Sequence, residues 1–326
     1  MKSSKGKIAF CFPGQLQEKP ILEDHPLRED PHFKELVKRA SGQTKFDLLN
    51  FSFGGEEKEE DFSLKLQIAS YFLSMVHFHR LRNAGWIPDI FAEHSMGIYS
   101  ALAASEAIGF EEGLFITEAI GRLLHREGRV HRGGMASIIG LPLEEIQKIC
   151  QDLNGFHLSI ANYNGSMHFV LSGEEEGVEK AISFALSRKA ISATQLAFKT
   201  ALHSPFLNSL REEIMKILQD IKIQPLKIPI LNHWTIKPLK REEIKDFLSQ
   251  EIGRPVYWIR CVEKLREEGF TQFIEVGHEA TLTKLMRWID REAEAFSAAD
   301  RFDLSLCHSE SRPETSSGSL ISESKR

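Results

Sequence analysis

No stretch of the 326-residue chain approaches the ~18–20 consecutive apolar residues that a membrane-spanning helix needs. The apolar run Ile8-Ala9-Phe10-Cys11-Phe12 follows Lys2, Lys5 and Lys7. It is too short for the core of a secretory signal, and Pro13-Gly14 ends it. Cysteine is scarce: Cys11, Cys150, Cys261 and Cys307 stand far apart, with no Cys-x-x-Cys and no Cys/His pair at metal-ligand spacing. That excludes a disulfide scaffold and a structural zinc module, and fits reduced thiols in a cytoplasmic protein with no bound metal. An excess of basic charge is missing too. Lys and Arg number 41 against 46 Asp and Glu, a net charge of −5, so neither nucleic acid nor a membrane is the expected partner. No segment repeats at a solenoid period.

What is present is ordinary globular material, 42% hydrophobic and 27% charged. The length suggests two domains, or one α/β body carrying an insertion. The apolar run at Lys7–Phe12 reads as a first buried strand. The polar stretch after it, with the acidic run Glu56–Asp61, reads as solvated helix and carries no chemistry. Apolar residues at helical period over 63–84 (Leu64, Ile68, Phe72, Met75, Val76, Leu81) predict a buried helix. Pro88–Ala92 reads as a short strand and the segment to Ala104 as a helix.

From Gly133 the pattern changes. Strands at Met135–Leu141, His157–Ala161, His168–Ser172 and Ala190–Ala197 alternate with helices at Pro142–Asp152 and Glu174–Ser187. The second and third strands flank a turn at Asn162-Tyr163-Asn164-Gly165. The order β-α-β-β-α-β is that of a ferredoxin-like unit. The predicted organisation is an α/β body with a parallel sheet (1–130 and 198–292), a ferredoxin-like subdomain (131–197) and a disordered serine-rich tail (293–326). In the returning body a helix is expected over 205–219, a strand near Ile228–Leu231, a helix near 256–268, the strand Gln272–Val276 and a last helix to Arg291.

Ser95 is the most informative residue. It stands between an apolar strand and a helix, with Gly97 two residues on, which is the local grammar of a nucleophile elbow. Such a turn exposes Oγ and sets backbone N–H groups at a helix N-terminus where an oxyanion would form. The position two before the nucleophile is usually glycine; here it is Glu93, whose side chain either distorts the turn or points outward. On this pattern alone an N-cap serine is the commoner reading. His203, in Ala201-Leu202-His203-Ser204-Pro205, is a candidate base for Ser95, although with 13 histidines spacing alone does not select it.

Taken together, several segments resemble the malonyl-CoA:acyl-carrier-protein transacylases, the acyltransferases of fatty-acid and polyketide synthesis. They are IAFCFPGQ (8–15), AEHSMGIYSALAASEAIGFEEGL (92–114), GGMASIIGL (133–141), IANYNGSMHFVLSGE (160–174), ALHSPFL (201–207) and RPVYWIRCVEKLREEGFTQFIEVGHEATLTKLM (254–286). They fall in the family's order over nearly all of 7–291, and the resemblance implies an α/β-hydrolase-like body.

By position it implies Ser95 as the acyl-accepting nucleophile, His203 as its base, and the backbone N–H groups of Met96 and Gln15 as the oxyanion hole. It further implies Gln67, His94 and Asn162 at the acyl pocket. A carbonyl at Gln250 or Glu251 would orient the base. The turn after Gln15 is shorter than the family's and lacks its second glycine. The family's malonyl-binding arginine is replaced by Ile120, with Arg122 two residues on and about 200° round a helix.

A buried carboxylate without a cation is costly, whereas isoleucine favours an uncharged acyl chain. The competing account is a helix shift that brings Arg122 inward. The implied activity is transfer of an acyl group from acyl-CoA to the phosphopantetheine arm of an acyl carrier protein through a seryl ester, without a cofactor. Lys199, Lys284 and Arg287 are candidates for a basic rim facing an acidic carrier. An acyl-thioester hydrolase that clears carriers, and a non-catalytic scaffold, remain open at this point.

Overall fold

The computed structural model describes residues 6–22, 25–53 and 62–300. The acidic run at 56–61 and the tail beyond 300 lie outside them. Among the described residues no helix is long and apolar enough to cross a membrane.

The body is built on a four-stranded parallel sheet in the order Glu294–Ser297, Phe270–Glu275, Lys7–Phe12, Ile90–Glu93. A bridge from Phe91 to Ile230 extends it. Residues 9–12 are buried on both faces, which is why they read as an unbroken apolar run and not as an alternation. Phe10 and Phe12 meet Phe78 and Phe91 on one face, with ring centroids 5.0–6.4 Å apart. Ala9 and Cys11 face Trp258, Val262 and Leu265 on the other. Each fully buried phenylalanine contributes roughly 2–3 kcal/mol by transfer from water.

Helix Phe62–Asn83 is buried nearly all round and packs against helices Gly97–Ala104 and Phe110–Val130. Gly121, on the last of these, admits a close approach. A Cβ there would lie 2.4 Å from Gln67 Oε1, so the absent side chain is what lets Gln67 sit between the helices.

Residues 133–195 form a separate antiparallel sheet in the order Ser159–Gly165, His168–Glu174, Gly133–Ile139, Ser192–Gln195. Helices Leu143–Asp152 and Glu175–Ser187 connect its strands and share a core that includes Ile146, Ile149, Leu171, Val178 and Ala181. This sheet is tied to the body: the Tyr163 N–H donates to Val256 O and the Val256 N–H to Ala161 O, both at 2.8 Å.

Two expectations need correction. Asn162–Gly165 is the irregular end of a strand and not a turn; the reversal falls at residues 166–167. Asparagine favours turns by its local hydrogen bonding, but here both asparagines are buried against the functional site. The chain does not lose order at 293, because Glu294–Ser297 is an edge strand of the main sheet. Its four residues are too few to show a period. The helix that carries Ile120 and Arg122 runs from Phe110 to Val130, and a further body helix, Ile244–Glu251, stood outside the sequence-predicted elements.

Candidate active site

Strand Ile90–Glu93 runs in register with Lys7–Phe12, and the pairing continues into the turn through His94 N–H to Phe12 O at 3.0 Å. Ser95 follows with φ of 59°, a left-handed conformation that a non-glycine residue holds only where the surroundings impose it. The helix starts at Gly97. A Cβ on Gly97 would lie 2.2 Å from Phe12 O, so this position admits no side chain. The result is a sharp strand-to-helix turn with Ser95 at its apex and the positive helix end behind it.

His203 also has positive φ, 56°, and its N–H donates to Ile252 O at 2.7 Å. Its Nε2 lies 2.7 Å from Ser95 Oγ, and its Nδ1 lies 3.1 Å from the Glu251 carbonyl. A carbonyl only accepts, so Nδ1 carries the proton and Nε2 is left to accept from the serine hydroxyl. Burial is the main reason that His203 is pushed down to about 4, keeping the imidazole neutral and available as a base. Gln250 faces elsewhere: its side chain donates to Asp246 and its carbonyl accepts from Gly253 N–H. Of the two candidates for orienting the base, only Glu251 reaches it.

Gln15 and Met96 both border the cavity above Ser95. Neither backbone N–H donates to a backbone carbonyl among the described residues. The short loop carrying Gln15 is pinned by Ser70 Oγ donating to Gly14 O at 2.7 Å and by Gln17 N–H donating to Glu279 at 3.0 Å. A Cβ on Gly14 would lie 3.5 Å from Ser95 Cβ, so the loop touches the nucleophile turn despite its missing second glycine.

The cavity has a volume of about 280 Å³. Gln67, Ile120, His94 and Asn162, the positions that the resemblance implies, all line it. His94 Nε2 bonds Asn164 Oδ1 at 2.9 Å, a partner that the sequence reading left in a turn. Ser137 and His168, bonded to each other at 3.0 Å, were also missed; their place on facing strands has no signature in the local sequence. Apolar side chains of Leu124, Met135, Val170, Leu196 and Phe198 complete the wall. No lysine or arginine is among the described lining residues. Arg122 does not turn inward: its side chain is 52% exposed and pairs with Glu118 at 2.6 Å, while Ile120 is 2% exposed.

Glu93 departs from both expectations. The turn is not distorted out of reach of His203, and the carboxyl points into the protein, where the residue is 1% exposed. Its Oε1 lies 3.5 Å from His233 Nε2, and neither carboxyl oxygen has a hydrogen-bond partner. Burial and the neighbouring Glu251 push this carboxyl well above the usual range. No group of three or more His, Cys, Asp or Glu among the described residues could hold a metal ion.

The family model described as "Acyl transferase domain" matches residues 30–301. The chain belongs to this acyltransferase family. The polyketide biosynthesis malonyl CoA-acyl carrier protein transacylase PksC of Bacillus subtilis is 30% identical to the acyltransferase over 290 residues, covering 88% of this chain and 99% of that one. Among solved structures, the malonyl CoA-acyl carrier protein transacylase of Coxiella burnetii superposes with a TM-score of 0.85 at 27% identity, covering 93% and 96% of the two chains. A malonyl-transacylase solved with its type II polyketide-synthase acyl carrier protein gives a TM-score of 0.84 at 28% identity, over 93% of this chain and 99% of that one. The α/β acyltransferase fold thus extends over the described body and subdomain.

Proposed function

We propose that this acyltransferase moves an uncharged acyl group from acyl-CoA to the phosphopantetheine thiol of an acyl carrier protein through an ester on Ser95. The observation that carries this is the 2.7 Å approach of Ser95 Oγ to His203 Nε2 at the floor of an apolar cavity. In the first half-reaction Ser95 Oγ attacks the thioester carbon as its proton passes to Nε2. The C–S bond then breaks, and Nε2 returns the proton to the leaving CoA thiolate. In the second half the carrier thiol gives its proton to Nε2 and attacks the ester carbon; the C–O bond to Ser95 breaks, Nε2 returns the proton to Oγ, and the acyl group leaves on the carrier thiol. The Met96 and Gln15 amides hold the oxyanion in both halves. Glu251 O keeps the imidazole in the Nδ1–H tautomer, and His94 with Asn162 borders the acyl group. Acyl-CoA is a substrate here and no cofactor takes part.

The relatives are named for malonyl transfer. The preference for an uncharged chain rests on Ile120, on the outward Arg122 and on the lack of a cation in the described lining. Burying a carboxylate unpaired costs several kcal/mol. Carrier docking is supported by the resemblance to a transacylase solved with its carrier and by exposed Lys199, Lys284 and Arg287 beside lining residues Phe198 and Leu285.

Intact-mass analysis after incubation with malonyl-, acetyl- and butyryl-CoA tests the whole reading, with Ser95→Ala as control. Ester formation on Ser95, faster from butyryl- than malonyl-CoA and discharged by holo-carrier protein, is expected. No adduct from any thioester would return the chain to the non-catalytic reading, and a malonyl preference would remove the Ile120 argument.

A further inference from the structure

Beneath Ser95 and His203 lies a buried group of polar atoms that the mechanism above leaves idle. Glu251 gives its carbonyl to His203 Nδ1, yet its side chain turns back toward the same imidazole. Its Oε1 lies 3.5 Å from Nδ1 and has no hydrogen-bond partner. The residue also borders the cavity. One layer deeper sits Glu93, both of whose oxygens are unpartnered. His233 Nδ1 accepts from Tyr257 N–H at 3.3 Å, so its Nε2 carries the proton and faces Glu93.

We propose that the Glu251 side-chain carboxylate is a positioning group for His203, accepting from Nδ1–H alongside its own carbonyl and countering the imidazolium formed during acyl transfer. This rests on the acyl-transfer reading given above. The proton that leaves Ser95 Oγ still goes to Nε2 and on to the departing thiolate. Nδ1 keeps its proton throughout, and Glu251 neither gains nor loses one in the cycle. What the carboxylate supplies is a charge-assisted hydrogen bond where the carbonyl alone supplies a neutral one.

Two adjacent buried carboxyls do not both ionise readily. Burial and the nearby Glu251 raise the Glu93 carboxyl well above the usual carboxylate range, which favours its neutral form. Burial pushes Glu251 up to about 8, so it changes charge between pH 6 and 9. The titratable groups facing the pair are His203 and Tyr99, with His233 and Cys261 behind Glu93. Tyr99 and Cys261 are pushed well up by burial and by these carboxyls, and His233 well down by burial, so all three are neutral. Arg254 stacks over the Trp234 ring at 3.9 Å and bonds the Gln250 side chain at 3.5 Å, and Arg260, which acts on His233 and Cys261, lies over the Tyr257 ring at 5.2 Å. That leaves the transient imidazolium of His203 as the cation for Glu251 to meet.

The test compares rates of Ser95 acylation by butyryl-CoA between pH 6 and 9 for wild type, Glu251→Gln and Glu251→Asp, with folding checked by thermal melting. Glutamine keeps the backbone carbonyl and side-chain shape but never ionises. The ratio of wild-type to Gln rates should be near one at pH 6 and rise to about tenfold at pH 9, since a charge-assisted hydrogen bond is roughly twice as strong as a neutral one. The Asp variant, compared with Gln in the same way, should keep a smaller rise; if the Gln variant does not fold, Glu251→Ala is the non-ionising reference for both ratios. A ratio flat across pH, whatever its value, or an Asp variant without a rise, overturns the proposal. Wild type that forms no ester on Ser95 is a separate failure, that of the acyl-transfer reading, and the mass spectrum alone reports it.

Discussion

Ser95 Oγ and His203 Nε2 lie 2.7 Å apart although the two residues are 108 positions apart in the chain, with the whole antiparallel subdomain between them. Both sit at positive φ, so each backbone is bent to deliver its side chain to the other. If this pair forms and breaks the ester, Ser95→Ala abolishes covalent loading. His203→Ala lowers the loading rate by about 10²–10⁴, the usual contribution of a positioned general base. Stopped incubations read by intact mass check both.

Ile120→Arg should invert acyl preference. The new guanidinium would enter a cavity lined by Gln67 and supply the cation that a malonyl carboxylate needs. Malonyl loading is expected to rise about tenfold or more relative to butyryl loading, by the value of a charge-assisted pair. Without substrate the buried, unpaired cation should lower the melting temperature. An unchanged malonyl-to-butyryl ratio would show that this helix position does not face the acyl group.

Gly97→Ala puts a methyl group 2.2 Å from Phe12 O, against backbone that cannot step aside. Overpacking of that kind costs about 1–3 kcal/mol or more and should displace the Ser95 turn. Chemical denaturation should show the loss of stability, and loading of Ser95 should fall by more than the folded fraction does.

The acid limb of the loading rate should lie well below the ordinary histidine range. His203 is held down to about 4, so the imidazole stays a base until pH falls toward that value. A profile of loading rate against pH, with the enzyme's stability followed in parallel, locates the limb. The stability sign is the same for this residue: its folded value is depressed, so its contribution is present above the ordinary 6.5 and is lost as pH falls toward 4.

Glu275 works in the opposite sense. Burial raises its carboxyl to about 7 even though it accepts from Thr283 N–H, and its Oε1 has no partner. Its contribution to stability is complete below the ordinary carboxylate range and is lost as pH rises through 7. Glu275→Gln keeps an acceptor for Thr283 and cannot ionise. Its stability relative to wild type should rise by about 2 kcal/mol between pH 5 and 8, as thermal melts would show.

The strand Lys7–Phe12 and the helix Phe62–Asn83 were legible because burial leaves unbroken apolar runs or a 3.6-residue period. The positions of Ser95, His203, Gln67 and Ile120 at one cavity were legible only through ordered motifs, since nothing local joins residues so far apart in the chain. The inward turn of Glu93 was not legible. Its partner His233 comes from a different strand connection, and a glutamate at a crowded turn looks the same in sequence whichever way it points. Asn162–Gly165 misled for the opposite reason: local turn propensity lost to burial beside His94.

The strand that carries Asn162 and Asn164 is hydrogen-bonded to Val256, five residues beyond the peptide that holds His203. The roof of the cavity and the seat of the imidazole therefore share one stretch of backbone. If the proposed acyl transfer holds, a subdomain tilt that widens the entrance for a pantetheine arm would tug on that seat, and admitting cargo and keeping the imidazole aimed would be a single mechanical problem.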